Sequence, residues 1–523
     1  MALTMPLDGA GQEETSPRQE VQPYAWYMLG VLMIVYIFNF VDRQLLTILA
    51  PELKRDLQIS DSDFGFLYGT AFGVFYALFG IPLGKLADRW FRVRLLALGL
   101  ALWSIMTALS GMSRNFVQVA AARVGVGIGE ATLSPCAYSL VGDYFPPHRR
   151  ATALGVYSSG LYLGTGISLF LGSSIVTWWN RAFPLGDAPL GLVGWQAAFL
   201  AVGLPGLFLA LWVATLREPV RGLFDPPLPD PQPDDRVSPW SGFFQDLADI
   251  VPPFTLLGAA RRSVAALAGN LLAAIICGLG AYALIRLTGD VAQWIAFGTG
   301  CYAVASWMLA LRSRDPVAFG SLFKSRPFLG VTFGYSFLSL LGYANFGFAP
   351  LFAIEELGAD PAEAGFMLGG LGALGGTLGI VAGGIVADKV ARDGVQAKRV
   401  LFVAITASAT MIGHAVMFSV DTLALYYPAV FATLIVMSAS LAGSSGTVVN
   451  IVPSGLRGTA TAGFLLGTNM IGLALGPYTG GKLSGYFGDL GTGMLALLVM
   501  LPLTLASLYI AYSAMPKSAD AQG

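Results

Sequence analysis

Long apolar stretches recur along this chain, separated by short polar ones, and they are too many and too long to be the strands or helices of a soluble core. A helix that crosses a hydrocarbon layer about 30 Å thick needs about 20 apolar residues. Inside that layer the backbone must satisfy its own hydrogen bonds, which a helix does within one segment. Six stretches fit in the first part: Tyr27–Leu49, Phe64–Leu86, Leu95–Met112, Phe116–Val141, Ala151–Trp178 and Gln196–Leu216. Six more fit in the last part: Phe328–Phe352, Ala364–Ala387, Val400–Ser419, Leu423–Asn450, Thr459–Leu483 and Met494–Tyr512. We number these spans 1 to 12. The interruption between them holds two further candidates, Val264–Ile285 and Trp294–Leu311, so the sequence predicts an all-α integral membrane protein with 14 crossings.

Composition excludes the main alternatives. Only 12% of the 523 residues are charged, about half of the roughly 25% of an ordinary soluble domain. A net charge of -1 offers no basic face to nucleic acid. Three cysteines do not make a disulfide scaffold, two histidines argue against a metal site, and no phosphate-binding Gly-x-x-x-x-Gly-Lys-Ser/Thr occurs. No cofactor is therefore expected. Residues 1–26 lack the basic-then-apolar pattern of a cleavable signal. The absence of any Asn-x-Ser/Thr acceptor leans toward a bacterial inner membrane.

Lysine and arginine concentrate in cytoplasmic loops. With the N-terminus inside, 22 of the 30 cationic residues fall on the inner side, six fall outside, and Arg43 and Arg123 lie within spans. Both termini are expected to be cytoplasmic. The resulting division is a tail at 1–26, a six-span bundle at 27–216, a Pro-rich cytoplasmic linker at 217–262 and two extra helices at 263–312. A connector at 313–327, a second bundle at 328–514 and a tail at 515–523 complete it. The run Asp225-Pro-Pro-Leu-Pro-Asp-Pro reads as an extended spacer.

An internal repeat relates the two bundles. Gly84-Lys-Leu-Ala-Asp88-Arg89 after span 2 recurs as Gly384-Ile-Val-Ala-Asp388-Lys389 after span 8, and Pro146 to Ala153 before span 5 echoes Pro453 to Ala460 before span 11. Duplicated halves are a common transporter plan. The loop Gly84-x-x-x-Asp88-Arg89-x-x-Arg92-x-Arg94 and the segment Arg123-x-x-x-Gly127-x-Gly129-Glu130 resemble two signatures of the major facilitator superfamily. Asn39-Phe-Val-Asp42-Arg43, Ser60 to Gly65 and Gly127-Ile-Gly-Glu130-Ala are similar, more narrowly, to the Spinster family of lysolipid and sphingolipid transporters. Two departures stand out: the extra helices lie outside the twelve-span plan, and the second loop copy is degenerate.

Charges inside spans cost about 2.5–3.5 kcal/mol each on insertion scales, and four are clear: Asp42, Arg43, Arg123 and Glu130. Adjacent residues on a helix point about 100° apart, so Asp42 and Arg43 seek different partners. Arg123 and Glu130, seven apart, share a face of span 4. The pattern predicts Arg43 paired with Glu130 and Asp42 as a separate acid, with both acids as proton sites. It fits permanent ion pairs between spans 1 and 4 as well. Arg43 also suits a lipid phosphate.

The loop residues Gly84, Asp88, Arg89, Arg92 and Arg94, with Asp143, Arg150, Gly384, Asp388 and Lys389, read as a cytoplasmic gate, in which Asp88 meets a helix N-terminus of the other half. Asn39, Tyr157, Tyr162, Tyr343, Asn345 and Asn469 are candidates for a polar cavity. Nine glycines in span 8 allow close helix approach. The resemblance implies a proton-coupled carrier of a lipid-like substrate, working as a monomer among membrane lipids by alternating access. A multidrug or organic-anion carrier of the same superfamily, and a lipid receptor or channel, are the alternatives.

Overall fold

The computed structural model of the chain describes residues 22–184, 188–223, 238–314, 316–393, 395–452 and 456–516. Fourteen helices in it are long and apolar enough to cross a membrane, and no strand occurs among the described residues. Spans 1 to 6 are Pro23–Ile48, Asp61–Arg89, Arg92–Ser110, Phe116–Tyr144, Val156–Ala182 and Gly194–Ala214. Spans 7 to 12 are Arg326–Glu355, Pro361–Val390, Gln396–Met417, Leu423–Asn450, Ala460–Phe487 and Leu490–Ser513. The inserted hairpin is Val264–Thr288 followed by Val291–Arg314. An even number of crossings puts the two ends of the chain on one face, here called the terminal face; the opposite one is the far face.

Several spans are interrupted where the chemistry requires it. Span 4 is helical over Phe116–Glu130 and again over Leu133–Tyr144. Pro135 lacks the N–H that would continue the ladder, and the Thr132 hydroxyl donates to the Gly129 carbonyl at 2.9 Å. Glu130 thus ends a helical segment in mid-membrane. Spans 2 and 11 each carry one π-helical stretch, Phe66–Thr70 and Thr468–Leu473. Such bulges widen a helix locally.

The halves meet along two seams, span 2 against span 11 and span 5 against span 8. Both seams are tightest toward the far face. A Cβ on Gly481 would lie 2.1 Å from the Asp61 carbonyl oxygen, and one on Gly369 would lie 2.7 Å from that of Gly166. Only glycine permits backbones this close. At the rim Lys54 joins Asp61 at 2.7 Å and Glu355 at 3.3 Å, and the Ser484 hydroxyl donates to Asp61 at 2.8 Å. One apolar core is continuous between the halves here, with Leu45, Phe64 and Leu67 packed in the same cluster as Leu341, Phe348 and Leu351. A second, formed almost entirely by the N-terminal half, includes Leu29, Leu86, Leu140 and Val213.

The latter part of the segment expected to be an extended linker is helical. Pro239–Ile250 and Phe254–Arg262 are helices. Pro239 occupies the first helical turn, where its missing N–H costs nothing, and Pro253 precedes the next helix. These prolines start helices; the run at 225–233 lies outside the described residues. Asp246 of the first helix meets Lys85 at 2.7 Å and Arg89 at 3.6 Å, both on span 2. Arg314, ending the hairpin, reaches Asp249 at 2.7 Å.

The hairpin itself is lopsided. Its first helix is exposed or half-buried at every described position but Asn270. The second helix lies over the seam of spans 2 and 11, where Ala303 joins Val74, Ala77 and Leu78 of span 2 and Leu466 and Met470 of span 11 in one apolar cluster. Near the far face the Thr70 hydroxyl donates to Gln293 at 2.7 Å. Asp290 in the hairpin turn meets Lys482 at 2.6 Å and accepts from the Tyr478 hydroxyl at 2.7 Å.

Candidate substrate and coupling site

Spans 1 and 4 bring the four intramembrane charges together as two crossed pairs. Arg43 donates through Nη2 to Glu130 Oε2 at 2.7 Å, and Arg123 Nη1 lies 3.6 Å from Asp42 Oδ1. All four are buried: Asp42 is 2% exposed, Arg43 7%, Arg123 0% and Glu130 1%. Two cations and two anions leave the cluster neutral, which is how buried charge is tolerated.

Uncharged neighbours complete it. The Thr107 hydroxyl of span 3 donates to Asp42 Oδ2 in a short contact. The Arg43 guanidinium lies 4.5 Å from the Phe72 ring centroid, 5.0 Å from Phe40 and 5.1 Å from Tyr76. Arg123 lies 5.3 Å from Phe72, so one span 2 ring serves both cations, a favourable use of its electron-rich face. Asn39, one turn before Arg43, is buried beside them.

The cluster is short of hydrogen-bond partners. Asp42 Oδ1, Glu130 Oε1, Arg43 Nε and three Arg123 nitrogens are buried with none among the described residues. Buried polar atoms are normally satisfied.

Thr107 and Phe72 were not among the expected site residues, because a search for charge passes over them. One signal for Thr107 does exist in the sequence: Ser104, Thr107 and Ser110 recur every three residues along span 3, and all three are buried.

The predicted gate residues occupy the terminal face. Arg92 contacts Asp143 in a short ion pair and donates through Nε to Glu218 at 2.7 Å. Glu218 also accepts from the Val93 N–H at 2.9 Å. Arg221 donates to the carbonyls of Ala87 at 2.8 Å and Asp88 in a short bond, closing the end of span 2. Arg92 meets Asp143 and Glu218 and Arg89 meets Asp246, acids of the N-terminal half and of the segment after it. The expected meeting of Asp88 with the other half is not among the recorded contacts of the described residues. Arg94 is exposed on the Phe91 ring at 4.7 Å, and Arg150 donates to the Phe145 carbonyl at 3.0 Å. Gly84 packs near Pro135. In the second copy Asp388 pairs with Arg399 at 2.7 Å, Lys389 is exposed and Gly384 half-buried.

The cavity candidates are dispersed. Tyr157 is buried and stacks on Tyr36 at 4.4 Å. Tyr343 of span 7 reaches the core of the N-terminal half. Asn345 lies 2.7 Å from the His414 ring, Asn469 sits in the π-helical stretch of span 11, and the Tyr162 side chain lies outside the described residues. A largely apolar cavity opens between spans 1, 5, 7, 8, 9 and 10, lined by Gln44, Leu169, Asn345, Phe346, Leu368 and Met437 among others.

This geometry coincides with the comparisons to known proteins. The family model described as Major Facilitator Superfamily matches residues 32–477. An "MFS-type efflux pump" of Mycolicibacterium smegmatis is 27% identical over 493 residues, covering 93% of this chain and 92% of the relative. "Protein spinster" of Drosophila melanogaster is 27% identical over 197 residues, 38% of this chain and 30% of that protein. A "Probable L-galactonate transporter" of Escherichia coli is 29% identical over 216 residues, 41% of this chain and 44% of the relative. These last two matches span less than half of each relative. Among solved structures, a bacterial homologue of the human lysosomal transporter Spinster, inward-facing and unoccupied, superposes with a TM-score of 0.71 at 23% identity, covering 95% of this chain and 98% of that one. With its fourteen apolar helices and duplicated halves, the chain is a multi-pass membrane transporter, not an enzyme, and belongs to the Major Facilitator Superfamily.

Proposed function

We propose that this transporter moves amphiphilic lipids of the lysophospholipid or sphingoid type, coupled to protons, by alternating access between its two six-span bundles, residues 27–216 and 328–514. The observation that carries the reading is the pair of crossed ion pairs, Arg43–Glu130 and Asp42–Arg123, each buried and incompletely hydrogen-bonded. An anionic headgroup that engages Arg43 draws it from Glu130. The carboxylate, left alone in an apolar setting, then takes up a proton; release of the substrate returns Arg43 and expels it. Asp42 with Arg123 is the second proton site, steadied by Thr107. The lipid tail lies against the apolar wall supplied by the C-terminal half. In this reading the protein is a monomer in a bacterial inner membrane with both termini cytoplasmic, and the Arg92 network holds the cytoplasmic end of the N-terminal bundle together.

The names of the relatives favour a second reading, a proton-coupled efflux or organic-anion carrier. Proteoliposomes separate the two. Under an imposed pH gradient, labelled lysophosphatidic acid is expected to move, and Glu130→Gln or Asp42→Asn is expected to lower the gradient-driven rate at least about tenfold, an ordinary loss for a lost proton-transfer group. Gradient-driven movement of a soluble organic anion or cationic dye, with none of the lysolipid, would establish the second reading instead.

A further inference from the structure

His414 in span 9 and Asn345 in span 7 form a buried couple that the crossed charges do not involve. The His414 ring is fully buried, with Nδ1 2.7 Å from Asn345 Oδ1 and Nε2 2.7 Å from the Met494 carbonyl oxygen. The Phe418 ring lies against it at 4.9 Å. No ion pair among the described residues includes His414, so an imidazolium there would be an unpaired buried charge, which is strongly unfavourable.

A neutral imidazole carries one N–H. The Met494 carbonyl can only accept, so Nε2 bears the hydrogen and Nδ1 is a bare acceptor. The atom facing Nδ1 must then donate. The two ends of an amide are alike in shape and are assigned by their partners, so Asn345 turns its NH2 to Nδ1 and its oxygen toward the cavity it lines. Gln44, on the opposing wall, accepts the Tyr68 hydroxyl through Oε1 at 3.3 Å, which leaves its NH2 to donate. Thr165 and Thr433 also line the cavity, but their hydroxyls already donate to the Leu161 and Ala429 carbonyls of their own helices. Asn345 and Gln44 thus present one amide acceptor and one amide donor with no such internal commitment, and a hydroxyl matches both at once.

We infer that Asn345, held by His414, is a specificity-determining acceptor for a substrate hydroxyl, with Gln44 donating to the same oxygen. Resting on the lysolipid reading, that hydroxyl is the free glycerol hydroxyl that distinguishes a lysolipid from a fully substituted one. His414 is a positioning residue, since it acts through the amide.

Two measurements test this. The chain has two histidines, so a His148→Gln protein labelled with ¹⁵N in histidine reports the His414 ring alone. The expected spectrum is the Nε2-protonated neutral ring, unchanged from about pH 5 to 8. A Nδ1-protonated ring or an imidazolium would overturn the amide orientation. In binding assays on the full chain, lysophosphatidic acid is expected to bind about 10- to 100-fold more tightly than its 2-O-methyl ether, the range of a lost buried hydrogen bond. Asn345→Leu is expected to bring that ratio near one, and His414→Phe to reduce it several-fold. Equal binding of the two probes by the wild type would overturn the hydroxyl assignment alone. Binding of neither would overturn the lysolipid reading together with it, while the ring spectrum still reports the amide.

Discussion

Glu130→Ala is expected to destabilise the protein by about 3–5 kcal/mol and to abolish transport, whereas Arg43→Met with Glu130→Met recovers most of the stability and none of the transport. Removing one member of a buried ion pair strands the other as an uncompensated charge, and that accounts for the first magnitude. Replacing both with apolar residues of similar volume is often neutral or stabilising. Arg43 is 7% exposed and Glu130 1%, so water gives the stranded charge little relief. The comparison separates the two roles left open by the sequence. A pair kept only to join spans 1 and 4 is replaceable by methionines, and the double variant would then transport normally. A pair that opens and closes in the transport cycle is not replaceable. Thermal unfolding in detergent, followed by flux in proteoliposomes for the same preparations, reads both quantities. Wild-type flux in the double variant would refute the coupling role.

The second large effect concerns the seams. Gly481→Ala is expected to shift the conformational equilibrium toward an opened far face by about five- to a hundredfold, with little loss of thermal stability. Gly379→Ala, by contrast, is expected to lower stability without opening that face. The clashes are alike: an added Cβ would sit 2.1 Å from the Asp61 carbonyl oxygen in one case and 2.2 Å from that of Ile435 in the other. Overpacking of this kind typically costs about 1–3 kcal/mol, equivalent to that range of population ratios. The difference lies in what can yield. Gly481 of span 11 faces span 2, across the boundary of the halves, so a rigid-body separation relieves the strain. Gly379 and Ile435 belong to spans 8 and 10 of one bundle, where relief requires unpacking the bundle. Distances between spin labels at Gln58 and Tyr486, both exposed near the far face, measure the shift in a background lacking Cys136, Cys277 and Cys301. Unchanged distances in Gly481→Ala would refute the assignment of that seam to the moving boundary.

The spans were legible because one quantity, apolar length against membrane thickness, decides them, and each observed span overlaps its predicted stretch with ends that differ by a few residues. The rarity of charge singled out Asp42, Arg43, Arg123 and Glu130 for the same reason: nothing else pays the insertion cost. The crossing of the pairs was only half legible. Helix geometry turns Asp42 and Arg43 apart but does not show that Arg123 waits on the Asp42 side. Thr107 and Phe72 carry no charge, so their part depends on how spans 2 and 3 are rotated, which is a property of packing. In the linker proline has two uses: it opens the helices at Pro239 and Pro253 as readily as it keeps a chain extended, and the run at 225–233 lies outside the described residues. His414 and Asn345 are 69 residues apart, and no local pattern joins them.

The inserted hairpin is fastened diagonally. Its second helix, 24 residues from Val291 to Arg314, is a rod of about 36 Å at 1.5 Å per residue. At the terminal face Arg314 reaches Asp246 and Asp249, and Asp246 in turn holds Lys85 and Arg89 of span 2. At the far face Asp290 holds Lys482 and Tyr478 of span 11. A helix does not stretch, so this flank carries a tie rod of fixed length between the two bundles. The flank of spans 5 and 8 carries no such member among the described residues and closes by direct glycine contact. Parting of the far face therefore either begins on the span 5 and 8 side, like a book opened against its spine, or starts by pulling the Asp290 pin.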